Sequence, residues 1–139
     1  MSDTNMSEEA AEKEFERWAE SQDFEFDNLN EKNATAVAGF RKTLVKSFMK
    51  GTLVFNDDGN LEYTVSERSP SGYAGDKVTI TSMTGKVWMA MDGYKDTEQM
   101  HKIVAAASAL TGKDHSWFSQ LSGKDFNLFA SVVGLFLNA

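Results

Sequence analysis

The last eighteen residues, Ser122 to Ala139, constrain this chain more than any other stretch. Ser122 and Asp125 have capping-box spacing, with Asp in place of the usual Glu, so a helix is expected from Ser122 to the C-terminus. Phe126, Phe129, Val133 and Phe136 fill one of its faces, and Leu128, Val132 and Leu135 fill another. Lys124, Asn127, Ser131, Gly134 and Asn138 leave only a narrow polar or small stripe. An apolar sector that wide exceeds what one packing face requires. Either the helix is central and buried on both sides within the monomer, or its second face serves another subunit or a hydrophobic client. The run Phe126 to Leu137 is too short to span a bilayer and is broken by Asn127, Ser131 and Gly134.

With 139 residues, one domain around one main core is expected. The apolar share of 41% and charged share of 25% fit a folded soluble chain rather than a disordered one. The absence of cysteine excludes disulfides, thiolate nucleophiles and thiolate metal sites. Charge is unevenly placed. Residues 1–31 hold eleven Asp and Glu against Lys13 and Arg17, a net −9, which leaves +2 on the other 108 residues of a chain whose total is −7. An acidic arm on a near-neutral body argues against nucleic acid as a partner, because phosphate-backbone binding needs clustered Lys and Arg. The acidic, polar start also lacks the basic end and apolar run of a secretory signal.

Residues 1–28 read as this acidic arm and residues 29–139 as a single α+β domain, mainly helical. In the arm, Ser7 caps a helix running to Ser21, with Glu8 and Glu9 in its first turn. Phe15, Trp18 and a few alanines are its only apolar contacts, so the arm either docks weakly or stays mobile. Residues 1–6 are expected to be frayed. A second helix runs from Leu29 to Lys50, with Val37, Phe40, Leu44 and Phe48 at helical steps and Gly51 as its C-terminal cap. The period then becomes strand-like over 52–55 and 61–65, around the turn Asn56-Asp57-Asp58-Gly59-Asn60. A loop over 66–76 leads to a third strand, Lys77 to Ile80. Met83, Val87, Trp88 and Met91 line a short helix ending at Asp92-Gly93. Met100, Ile103, Val104, Ala107 and Leu110 line another from about Asp96 to Thr111, capped by Gly112. The expected architecture is therefore a hairpin or small three-stranded antiparallel sheet packed with four to five helices.

No catalytic constellation emerges. Aligning Gly59 with the central glycine of a calcium loop puts Val54 and Val65 at ligand positions, so the acidic loop reads as a hairpin turn. His101 and His115 would need a third convergent ligand such as Asp114 or Asp125, and nothing in the spacing selects one. Phosphate-loop, dinucleotide and Gly-x-Ser-x-Gly patterns are absent. No enzyme activity, cofactor or metal is therefore expected. The seven methionines, with Met83, Met89, Met91 and Met100 around one segment, suit either core gap-filling or an adaptable binding surface.

The C-terminal half resembles a known family. The resemblance runs through Val78-Thr79-Ile80-Thr81-Ser82-Met83-Thr84, a helix ending Ala109-Leu110-Thr111-Gly112, a Leu121-Ser122-x-x-Asp125 step, and an apolar helix closing Val132-Val133-Gly134-Leu135-Phe136-Leu137. Over about residues 77–137 this order and spacing resembles the tail assembly chaperones of long-tailed phages, particularly the Mu-like contractile type. The acidic helix and the long helix before the hairpin depart from that pattern.

The resemblance implies a non-enzymatic viral protein of the host cell cytoplasm. Its partners would be the tape measure protein, whose long hydrophobic helices it keeps soluble, and the tail tube protein, whose polymerisation it promotes. It would be absent from the finished virion. Phe126, Phe129, Val132, Val133 and Phe136, with Leu110 and Trp117 beside them, are the expected partner-binding residues. Self-association into an oligomer is a further expectation, through the wide apolar helix or exposed strands. Three alternatives come from other classes: a structural tail or head-completion component, an acidic DNA-mimic inhibitor, and a small metal enzyme around His101, His115 and Asp114. The acids stop at Glu31, which weakens the DNA mimic, since such proteins spread acids over the folded surface.

Overall fold

The computed structural model describes residues 6–95 and 97–139. Helix α1 (Glu8–Ser21) starts where the Ser7 side chain accepts a hydrogen bond from the Ala10 N–H at 3.1 Å, with Glu8 and Glu9 in the first turn. Helix α2 (Glu31–Lys50) is capped by Asn30, whose carboxamide accepts from the Asn33 N–H at 2.8 Å. It ends at Gly51, which takes φ 77°, a left-handed conformation that glycine adopts without steric cost.

Three strands follow, β1 (Leu53–Phe55), β2 (Leu61–Thr64) and β3 (Lys77–Ile80), in an antiparallel sheet of order β1-β2-β3. Leu53 pairs with Tyr63 and Leu61 with Ile80, and the alternation buries Leu53, Leu61, Tyr63, Val78 and Ile80 on one side. The acidic loop closes as a hairpin turn, with Gly59 at φ 89° and the Asn60 N–H donating to the Asp58 carboxylate at 3.0 Å.

Helices α3 (Gly85–Met91), α4 (Gln99–Thr111), α5 (His115–Ser119) and α6 (Gly123–Asn138) complete the chain. Helix α6 packs against α2 on one side and α4 on another; α3 pairs with α4, and α1 lies on α2. The fold is α+β and mainly α-helical, with six helices among the described residues where four to five were expected. The addition is α5, a five-residue helix capped by Asp114, whose carboxylate accepts from the Trp117 N–H at 3.1 Å. The expected start of α4 at Asp96 lies outside the described residues, and α4 begins at Gln99.

The arm, left open between docking and mobility, is docked. Ala11, Phe15, Trp18 and Ala19 are buried, with Phe15 and Trp18 among the largest fully covered side chains. Arg41 of α2 donates from Nε to Glu12 at 2.8 Å and from Nη2 to Glu16 at 3.1 Å, while its guanidinium lies 4.9 Å from the Phe15 ring centroid. Burial lowers the Arg41 pKa, but hydrogen bonds and charge attraction from Glu12 and Glu16 prevail and hold it above its ordinary value. The Met6 N–H donates to the Met49 carbonyl at 3.0 Å, so Met6 is held against α2 rather than frayed, and the rest of the fraying expected, over residues 1–5, lies outside the described residues.

Candidate functional site

Helix α6 does not present a free second face. Phe129, Val132, Val133, Phe136 and Leu110, five of the seven residues expected to bind a partner, are buried in the core, and Phe126 and Trp117 are half-buried against it. The physical reason is that α1 with its linker, α2, β2 and α5 all cover the helix. Phe136 meets Trp18 of α1 and Phe24 of the α1–α2 linker at ring distances of 5.9 and 5.3 Å. Phe129 is ringed by Tyr63, Trp117 and Phe118 at 5.4, 5.9 and 5.4 Å. At Gly134 a Cβ would fall onto the Phe40 ring of α2, so the small residue makes room for the helix crossing. The reading with α6 buried on both sides is the one the structure shows, and the acidic arm and its linker supply much of the cover.

The start of α6 is held by a buried carboxylate. Asp125 is fully covered and accepts five hydrogen bonds. Its Oδ1 receives the Tyr63 hydroxyl at 2.5 Å and the Ser66 N–H at 3.1 Å; its Oδ2 receives the hydroxyls of Ser66, Ser69 and Ser122 at 2.8, 2.6 and 2.9 Å. Burial pushes the Asp125 carboxyl up, but the bonds from Ser69, Tyr63 and Ser66 outweigh it and hold the group below its ordinary value. Burial and the charge-assisted bond to Asp125 push the Tyr63 phenol well above its ordinary range. Ser122 also caps α6, accepting from the Asp125 N–H at 3.3 Å, so the expected capping pair doubles as an anchor between α6 and the sheet.

Apolar surface lies instead at the corner formed by α3, the start of α4 and the end of α6. Among the described residues the exposed large hydrophobics are Trp88 (51% exposed), Met89 (77%), Met100 (58%), Leu137 (39%) and, apart from them on β1, Val54 (44%). Trp88, Met91, Tyr94 and Leu137 line one groove of about 370 Å³ together with Asp92, Gln99 and Lys102. Met89 and Met100 each adjoin a residue of that groove in sequence. Trp88 and Met100 were expected to point inward with Val87 and Leu110; Val87 and Met91 do, while Trp88 and Met100 face out. The methionine cluster was the sequence signal for this surface, and the structure divides it between Met91 buried and Met83 partly buried against the core, and Met89 and Met100 outside.

His101 stacks on the Tyr94 ring at 5.9 Å with their planes 4° apart, and His115 opens α5 beside its Asp114 cap. Among the described residues no three His, Asp or Glu side chains are grouped to hold a metal ion. No helix there is long and apolar enough to cross a membrane. Compared with known proteins, the chain matches no protein-family model, no curated protein and no solved structure.

Proposed function

We propose that this chain is a phage tail assembly chaperone that binds apolar helical segments of a tape measure protein at the α3–α4 corner rather than along α6. The carrying observation is that Trp88 and Leu137 line one groove while partly exposed, with Met89 and Met100 exposed on α3 and α4, in a molecule whose other large apolar side chains are mostly covered. Exposed methionines adapt to varied apolar partners, and an exposed Trp supplies a rigid anchor. An amphipathic client helix laid into the groove would bury its apolar stripe there. The family resemblance over residues 77–137 supports the reading and includes α3, α4 and α6, the elements that build the corner. Docking of α1 leaves Glu8, Glu9 and Glu20 exposed, so the arm contributes repulsion that keeps a chaperone–client complex soluble. On this reading the protein acts in the host cytoplasm without cofactor, passes its client to the tail tube protein, and is absent from the mature virion.

The test is co-expression with the tape measure protein encoded by the gene neighbour, followed by size-exclusion chromatography with light scattering. Wild-type chain should carry the client into a soluble complex. The double variant Trp88→Ser, Met89→Ser should lose the complex while its circular dichroism and melting temperature stay near wild type. A client that remains insoluble, or elutes apart from the wild-type chain, would overturn the function.

A further inference from the structure

A second concave feature lies on another part of the molecule, and its chemistry is opposite. The last turns of α2, strand β2 with the loop after it, and the first turn of α6 enclose a cleft of about 360 Å³, within the range of small-ligand sites. Lys46, Lys50, Arg68 and Lys124 line it. None of these four takes part in an ion pair among the described residues, whose salt bridges use Lys13, Arg17 and Arg41. The one acid in the cleft is Asp125, and its two oxygens are already saturated by five donors. Four cations against one fully bonded carboxylate leave three positive charges in surplus, in a chain whose total is −7.

Fold stability accounts for only part of this arrangement. Lys50 sits in the last turn of α2, where the helix dipole favours a cation. Lys124 sits in the first turn of α6, where the dipole disfavours one, so it adds to the positive potential of that helix end. Arg68 comes from an exposed position in the loop after β2 and places a planar multiple donor on the cleft wall. The Asn127 carboxamide adds a neutral donor.

We propose that this cleft binds a small phosphate-bearing ligand. The cleft volume of about 360 Å³ suits a compact anion, and the neighbouring depression that Lys46 also borders sets Glu8 and Glu12 against Arg41 and Lys42, so the positive surplus does not extend along the surface as a long polyanion would need. A compact anion engages the cations through charge-assisted bonds. The site is independent of client binding at the α3–α4 corner and stands or falls without it.

Inorganic pyrophosphate is the probe, titrated into the full-length protein at constant ionic strength and followed by amide chemical shifts. Saturable shifts at Ser47, Thr52, Ser66 and Lys124 are expected. Lys124→Gln and Arg68→Gln, changes at exposed positions, should each weaken binding about tenfold or more. Lys86→Gln on α3, outside the cleft, should leave it unchanged. Shifts that fail to saturate by about 10 mM, or an equal loss in Lys86→Gln, would overturn the site by reducing it to general charge attraction. Tighter binding of a hexaglutamate peptide at the same amides would overturn the phosphate assignment in favour of an acidic protein segment.

Discussion

Helix α6 and the α3–α4 corner are the two most apolar-looking parts of the C-terminal half, and the structure treats them in opposite ways. Helix α6 is apolar around most of its circumference, and nine of its sixteen residues are buried. The corner alternates apolar with charged and small residues, yet Trp88, Met89 and Met100 are exposed there. The width of an apolar sector therefore measures demand for cover, not exposure; what decides exposure is whether the rest of the chain can reach it. The arm, its linker, α2 and the hairpin side reach α6. Trp88 and Met89 are left 51% and 77% exposed on a seven-residue helix with α4 on one side.

The comparison breaks most readily in the core. Phe129→Asp puts a charge among Tyr63, Trp117 and Phe118 and should cost more than about 4 kcal/mol, leaving a chain without a cooperative urea transition. Trp18→Ala removes a buried anchor of the arm, and about 3–5 kcal/mol should be lost in thermal unfolding, with new binding of a hydrophobic dye at the uncovered face of α6. Arg41→Gln loses the pairing with Glu12 and Glu16 at a partly exposed site, and chemical denaturation should register about 1 kcal/mol. Trp88→Ser should change stability by no more than about 0.5 kcal/mol while client binding disappears, which calorimetry and the co-elution assay read separately.

Acid gives a further handle on the core. The Asp125 carboxyl is held below its ordinary value of 3.8, so its stabilisation is fully present above that pH and is lost as pH falls through the folded-state value. A pH series of melting temperatures should therefore drop below about pH 4, and Asp125→Asn should flatten the drop.

Much of the fold was legible because its signals are local. Ser7 and Ser122 announce helix starts, Gly51 and Gly112 announce ends, and the run Asn56 to Asn60 announces the hairpin, while the second helix, expected from Leu29, begins at Glu31 behind its Asn30 cap. Helix α5 was not legible, since five residues hold no period, although Asp114 with the Trp117 N–H is an ordinary cap. Docking of the arm was hidden because Phe15 and Trp18 look sparse until Arg41, Phe24 and Phe136 are brought to them by the tertiary fold. Two turns of α3 are too few to decide which of Val87 and Trp88 faces inward. The Asp125 network was half visible: Ser122 and Asp125 were read as a cap, but Tyr63, Ser66 and Ser69 join them across more than fifty residues.

Hydrogen–deuterium exchange of the protein, free and with an apolar tape-measure segment bound, tests the division between core helix and binding corner most directly. Residues 128–136 of α6 should exchange at the slow rate set by global unfolding in both states, while residues 86–92 and 99–104 should gain protection on binding. The contrary result is fast exchange in α6 of the free protein, together with α1, followed by protection of both only when the segment binds. That pattern would make α6 the docking surface and α1 its removable cover.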